Sequence, residues 1–176
     1  MIFDLPTYGK DIAKSLNWQV HDQTDKAIAH LCRNPGVIFT AGNGGSSSTA
    51  SHFTQDLMKA CRQKSFCMSD NGAFILAVAN DIVFDVVYSS YLHVNAKAGD
   101  TLVVISGSGN SENLVKASQQ AYVMGIKTIA LVGMTGGKLK DTCDIVIHVP
   151  LADMRMVESA HGIILHYIIA SLAGGS

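Results

Sequence analysis

Short apolar runs recur along the chain, each followed by a turn of small or polar residues and then by a stretch of helical period. The clearest run is Leu102-Val103-Val104-Ile105, four apolar residues of which three are β-branched. Such a run, too short for a helix and without polar alternation, reads as a strand buried on both faces. Comparable strands are predicted at 37–41, 127–132 and 144–149, with a shorter one at 65–69. Residues 7–33 carry a broken helical period, with Ile12, Leu16, Val20, Ala27, Ala29, Leu31 and Cys32 turned inward and Asn34-Pro35-Gly36 as the stop. Helices are predicted over 47–61, over 73–96 in two pieces around Asn80-Asp81, over 112–124 and over 154–172. A short one begins near Gly136-Gly137-Lys138-Leu139.

Strands that alternate with helices at this spacing predict parallel βαβ units and an α/β fold, a three-layer α/β/α sandwich on a five-stranded parallel sheet. The chain of 176 residues suffices for one domain with a substantial core, 1–34 being an N-terminal helical region and 35–176 the α/β core. In a flavodoxin-like order, 2-1-3-4-5, the connections reverse between strands one and three, and ligands sit beyond the carboxyl ends of those strands. The two richest loops fall there: Ala41-Gly42-Asn43-Gly44-Gly45-Ser46 after strand one, and Ser106-Gly107-Ser108-Gly109-Asn110-Ser111 after strand three.

Glycines let backbone N–H groups close on a ligand, serines add hydroxyl donors, and a helix start adds orphan N–H groups at the positive end of its dipole. Neither loop matches the dinucleotide fingerprint, and no P-loop Lys is present. The pair therefore predicts a cradle that holds a phosphate ester with neutral donors.

Charge and composition narrow the classes that remain. A formal net charge of −1, with Lys and Arg scattered, argues against a nucleic-acid surface. Met1-Ile2-Phe3-Asp4-Leu5-Pro6 lacks the basic and long apolar regions of a signal peptide. No apolar run approaches the ~20 residues of a membrane span. Four cysteines without CxxC spacing read as reduced thiols, and a cytoplasmic location is expected.

Gly42-Asn43-Gly44-Gly45-Ser46, His52, Asn80-Asp81, Ile105 to Ser111, Gly136-Gly137-Lys138 and a last helix with His161 and His166 carry a specific likeness. In order and spacing the chain resembles the sugar-isomerase (SIS) domain proteins, and among them the sedoheptulose 7-phosphate (phosphoheptose) isomerases. The resemblance implies a homotetramer with active sites at subunit interfaces. It implies that Ser46, Ser106, Ser108 and Ser111 bind the sugar phosphate, while Asn43, Gly44 and Asp81 line the sugar site. It also implies a divalent metal, usually zinc, on the positions that match here as His52, Asp56, Glu158 and His166, with Asp56 and His166 as acid and base. Three positions depart from the family pattern: Asp56 stands for Glu, Glu158 for Gln and Gly107 for Thr.

His52 and Asp56 are four apart, so on a helix they share a face. An ordinary surface pair fits that spacing as well. A His/Asp/Glu/His set offers nitrogen and oxygen ligands suited to zinc or a similar ion. His161 lies about 140° from His166 at 100° per residue, which suits a packed or interface histidine better than a ligand. Two functions stay open: isomerisation of sedoheptulose 7-phosphate to a heptose 7-phosphate through an enediol, or a non-catalytic SIS module binding a sugar phosphate or a protein, as in the replication-initiator-associating proteins.

Overall fold

The computed structural model describes residues 4–33 and 35–174, so Met1 to Phe3, and Asn34 of the expected helix stop, lie outside the described residues. The broken period at the start resolves into two helices, α1 (Leu5–Ser15) and α2 (Trp18–Leu31). The break is chemical: the Asn17 side chain accepts from the Gln19 and Val20 N–H groups and so starts a new helix. There follow β1 (Ile38–Gly42), α3 (Gly45–Lys59), β2 (Ser65–Cys67), α4 (Gly72–Asp81), α5 (Val87–Asn95), β3 (Thr101–Ser106) and α6 (Glu112–Val123). The chain continues with β4 (Lys127–Val132), α7 (Leu139–Thr142), β5 (Ile145–His148) and α8 (Met154–Leu172).

The sheet has five parallel strands in the order β2-β1-β3-β4-β5, as the sequence predicts. Alternation along the strands divides the core in two. Val103, Ile105, Ile129 and Leu131 pack with Ile12, Val20, Leu31, Phe53, Leu57 and Ile164 from α1, α2, α3 and α8. Leu102, Val104, Ala130 and Val132 face the other way, onto Val87, Leu92, Leu114 and Ala117 from α5 and α6. Side chains of successive strand residues point to opposite faces, so a run apolar at every position is the signature of a sheet covered on both sides.

β2 is shorter than expected, three residues followed by a single 3₁₀ turn over Met68–Asp70. The cause is Ser69. Its hydroxyl donates to the Gly42 carbonyl at 3.0 Å and accepts from the Gly42 N–H at 3.3 Å, so a side chain takes over where the ladder would have continued. The final helix is only partly covered within this chain. Met156, Val157, Ala160, Ile164, Leu165 and Ile168 are buried in this chain, whereas Ile163 and Tyr167 remain about half exposed.

Candidate functional site

β1 and β3 are adjacent and in register, with Gly42 opposite Ile105, so the loops that leave their carboxyl ends emerge side by side. Gly44, at φ 54° and ψ −126°, holds a conformation that residues with a Cβ rarely adopt, and this sharp turn delivers the chain into α3. In the second loop the Ser106 hydroxyl accepts from the Gly109 N–H at 3.1 Å, and the Ser108 hydroxyl from the Asn110 N–H at 3.2 Å. Those bonds occupy lone pairs and leave the hydroxyl protons available for donation. Ser111 is the N-cap residue of α6, yet its side chain caps no helix N–H.

The loop 133–139 backs this cradle. Gly133 N–H donates to Gly107 O at 3.1 Å and Leu139 N–H to Gly109 O at 3.0 Å, which draws the carbonyls of the serine loop away from the crevice. Gly109 is required here, because a Cβ would collide with the Gly136 carbonyl oxygen. The same loop brings Lys138, whose Nζ lies 2.9 Å from Glu112 Oε2 at the first residue of α6. Its hydrogen bond holds the Glu112 carboxyl below the usual carboxylate range. A cation thus stands at the rim of a cradle that the two loops alone make neutral. The signal was the Gly136-Gly137-Lys138 motif, whose role is plain only once the loop is seen folded behind Asn110. Asp81 is exposed at the end of α4, where it accepts from the Asn80 amide at 2.8 Å.

A second group gathers further down α3. His52 Nε2 lies 3.4 Å from Asp56 Oδ2, and the His52 and His166 rings meet edge to face with centroids 5.1 Å apart. One donor atom from each of His52, Asp56 and His166 lies within 4.8 Å of the others. They line a cavity of about 240 Å³ with Ser48, Thr49, Phe53, Gly162 and Leu165. Two imidazole nitrogens and one carboxylate fit a divalent ion such as zinc and leave coordination positions open. Glu158 is not in this group. Its carboxylate rests against Gly45, 3.0 to 3.2 Å from where a Cβ would stand, at the start of α3. There the positive end of the helix dipole attracts it. Eight residues of α8 separate Glu158 from His166, which at 100° per residue leaves them about 80° apart round the helix but about 12 Å apart along its axis.

Cradle and cavity draw on different parts of α3. Ser46 and His52 are six residues apart, about 120° round the helix and about 9 Å along it. None of Ser106, Ser108 and Ser111 lines the cavity. His161 is packed inside the chain, 1% exposed, with neither ring nitrogen hydrogen-bonded among the described residues. Burial pushes its pKa down to about 4, and the nearby Val132 backbone offsets part of that without closing a good bond.

Residues 10–133 match the SIS domain family. The phosphoheptose isomerase of Vibrio vulnificus is 37% identical over 150 residues, covering 82% of this chain and 78% of that protein. That of Aeromonas hydrophila is 33% identical over 90% of this chain and 85% of its own length. Among solved structures, the phosphoheptose isomerase of Neisseria gonorrhoeae superposes with a TM-score of 0.86 at 28% identity, covering 94% of this chain and 91% of that one. The phosphoheptose isomerase of Francisella tularensis gives 0.83 at 28% identity over 97% and 92%. The chain belongs to the SIS-domain family, alongside the phosphoheptose isomerases.

Proposed function

We propose that this protein is an aldose–ketose isomerase that converts sedoheptulose 7-phosphate to D-glycero-D-manno-heptose 7-phosphate. The product class supplies heptose for surface polysaccharide. The observation that carries the reading is the pairing of a hydroxyl-rich, glycine-lined cradle with a separate His52/Asp56/His166 group in a chain of this family.

The reaction moves a proton between C1 and C2 through an enediol and needs an acid and a base with accessible pKa values. Ser46, Ser106, Ser108 and Ser111 hold the phosphate ester, and Asn43, Gly44 and Asp81 face the sugar. Asp56 takes the carbon-bound proton, and His166 moves protons on the sugar oxygens. His52, Asp56 and His166 would hold a divalent ion, zinc being the best fit, with Glu158 reaching it only after leaving Gly45. Such an ion would disperse the negative charge that develops on the sugar oxygens.

The separation of the cradle serines from the His52/Asp56/His166 cavity supports a homo-oligomer, a tetramer by family pattern, in which one copy's His52/Asp56/His166 group faces its neighbour's cradle. Apolar surface supports it too. α4 buries none of its residues, and Leu76 and Ile82 are about 70% exposed, as is Trp18 on α2. The N-terminal helices belong to the same unit as the α/β core, since Ile12, Val20 and Leu31 share a cluster with the sheet. Among the described residues no helix is long and apolar enough to cross a membrane, and we place the protein in the cytoplasm.

Two features favour a second reading, a binding module without turnover. Asp56 is a methylene shorter than the family's Glu, and Glu158 stands outside the donor group. NMR of sedoheptulose 7-phosphate incubated with the protein, with and without chelator, separates the two. Isomerisation predicts an aldose 7-phosphate that is lost in His166→Ala. Saturable binding with no new sugar signal would establish the module instead.

A further inference from the structure

Asn43 and Asn113 face each other across the two cradle loops. Asn43 Nδ2 donates to Asn113 Oδ1 at 2.9 Å, and Asn113 Nδ2 donates to Asn43 Oδ1 at 3.0 Å. The second residue of α6 is thereby tied to the turn after β1 by a closed ring of two hydrogen bonds. Asn113 is 2% exposed, so water cannot replace these bonds if they are lost.

A joint flip of both amides would keep the ring, and Tyr88 favours the arrangement seen by sharing its one hydroxyl hydrogen between two acceptors. Its hydroxyl, on the buried face of α5, lies 3.3 Å from Asn43 Oδ1 and donates to the Gly42 carbonyl at 2.7 Å. Burial raises the Tyr88 pKa, which keeps the group a donor. Ser69 completes the set, 3.1 Å from the Tyr88 hydroxyl and bonded to both backbone groups of Gly42. Asn43 therefore has its oxygen turned to Asn113 and Tyr88. Of its two amide hydrogens, one is spent on Asn113 and the other is left for a ligand.

We propose that Asn113, supported by Tyr88, is a positioning residue: it fixes the amide of Asn43 so that one N–H is presented to the sugar, and it locks the two cradle loops at one separation. This rests on the sugar-phosphate reading above and deepens it. A half-satisfied buried network is costlier than none, so the pair is sensitive to the loss of a single donor.

Asn113→Asp provides the test. When ionised, the introduced carboxylate still accepts from Asn43 Nδ2 but sets an oxygen against Asn43 Oδ1. When protonated, it has one O–H donor and one carbonyl acceptor and rebuilds the ring. The ratio of wild-type to variant kcat/KM for sedoheptulose 7-phosphate should be at least tenfold at pH 8 and shrink steadily towards pH 5.5, with the change mainly in KM. Tyr88→Phe, which keeps the ring body, should raise KM several-fold without that pH trend. A residue that merely stabilised the fold would lower the melting temperature and leave the ratio independent of pH. If Asn113→Asp does not fold, Tyr88→Phe decides: an unchanged KM overturns the proposal. An Asn113→Asp ratio near one at every pH overturns it as well, while wild-type turnover leaves the isomerase reading standing. If the wild-type protein turns nothing over, binding of the same sugar phosphate by calorimetry gives the ratios. Absence of both turnover and binding overturns the reading and this inference together.

Discussion

Asp56, one methylene shorter than the family's Glu, stands 3.4 Å from His52 in the cavity shared with His166, and the proposed reaction makes it the base. Asp56→Asn should therefore lower kcat by about 10²–10⁴, the range for removing a positioned acid or base. Asp56→Glu should also lower kcat, because the longer arm carries the carboxylate past its place beside His52 and His166. Steady-state kinetics on both variants check this, and a more active Asp56→Glu would contradict it. His161 makes a different prediction. Its native pKa of about 4 lies below the ordinary 6.5, so between these pH values the unfolded chain binds a proton that the native state refuses. Stability is therefore unaffected above pH 6.5, falls as pH drops from 6.5 to 4, and levels below, by roughly 3 kcal/mol at most. Denaturant unfolding at several pH values measures it, and His161→Phe should flatten this part of the profile.

At the scale of elements, the strands and their order were legible because a sheet covered on both faces demands unbroken apolar runs. Leu131, fully buried on β4 in the core that α2 and α8 share, illustrates the consequence: Leu131→Ala should cost about 3 kcal/mol in urea unfolding with the fold retained. The two cradle loops were legible for a similar reason, since their composition only makes sense at the switch point of a parallel sheet. Three features were not. The short β2 depends on a Ser69 hydroxyl that reaches a strand 27 residues away. The Asn43–Asn113 pair spans 70 residues, and nothing local to either Asn announces it. Glu158 matches a ligand position by family pattern and by rotation, but axial distance and the dipole of α3 hold it at Gly45. Side chains whose partners are distant in sequence carry no periodic signal.

For the whole molecule, the proposed reaction requires the cradle and the His52/Asp56/His166 group, drawn from different parts of α3, to act on one sugar. Leu76 on α4 and Ile82 just past its end are exposed, apolar surface that the proposed oligomer would cover. Sedimentation should find an oligomer, and the double variant Leu76→Asp, Ile82→Asp should give smaller species with much reduced activity. The most direct measurement is subunit complementation. Ser106→Ala with Ser111→Ala removes two of the cradle's four hydroxyls, and His166→Ala disables the other group, so each protein alone should be inactive. Unfolded together and refolded as a mixture, they should regain about a quarter of wild-type turnover if copies assemble at random and each site draws one half from each neighbour. A mixture of co-assembled variants as inactive as its components would contradict the account.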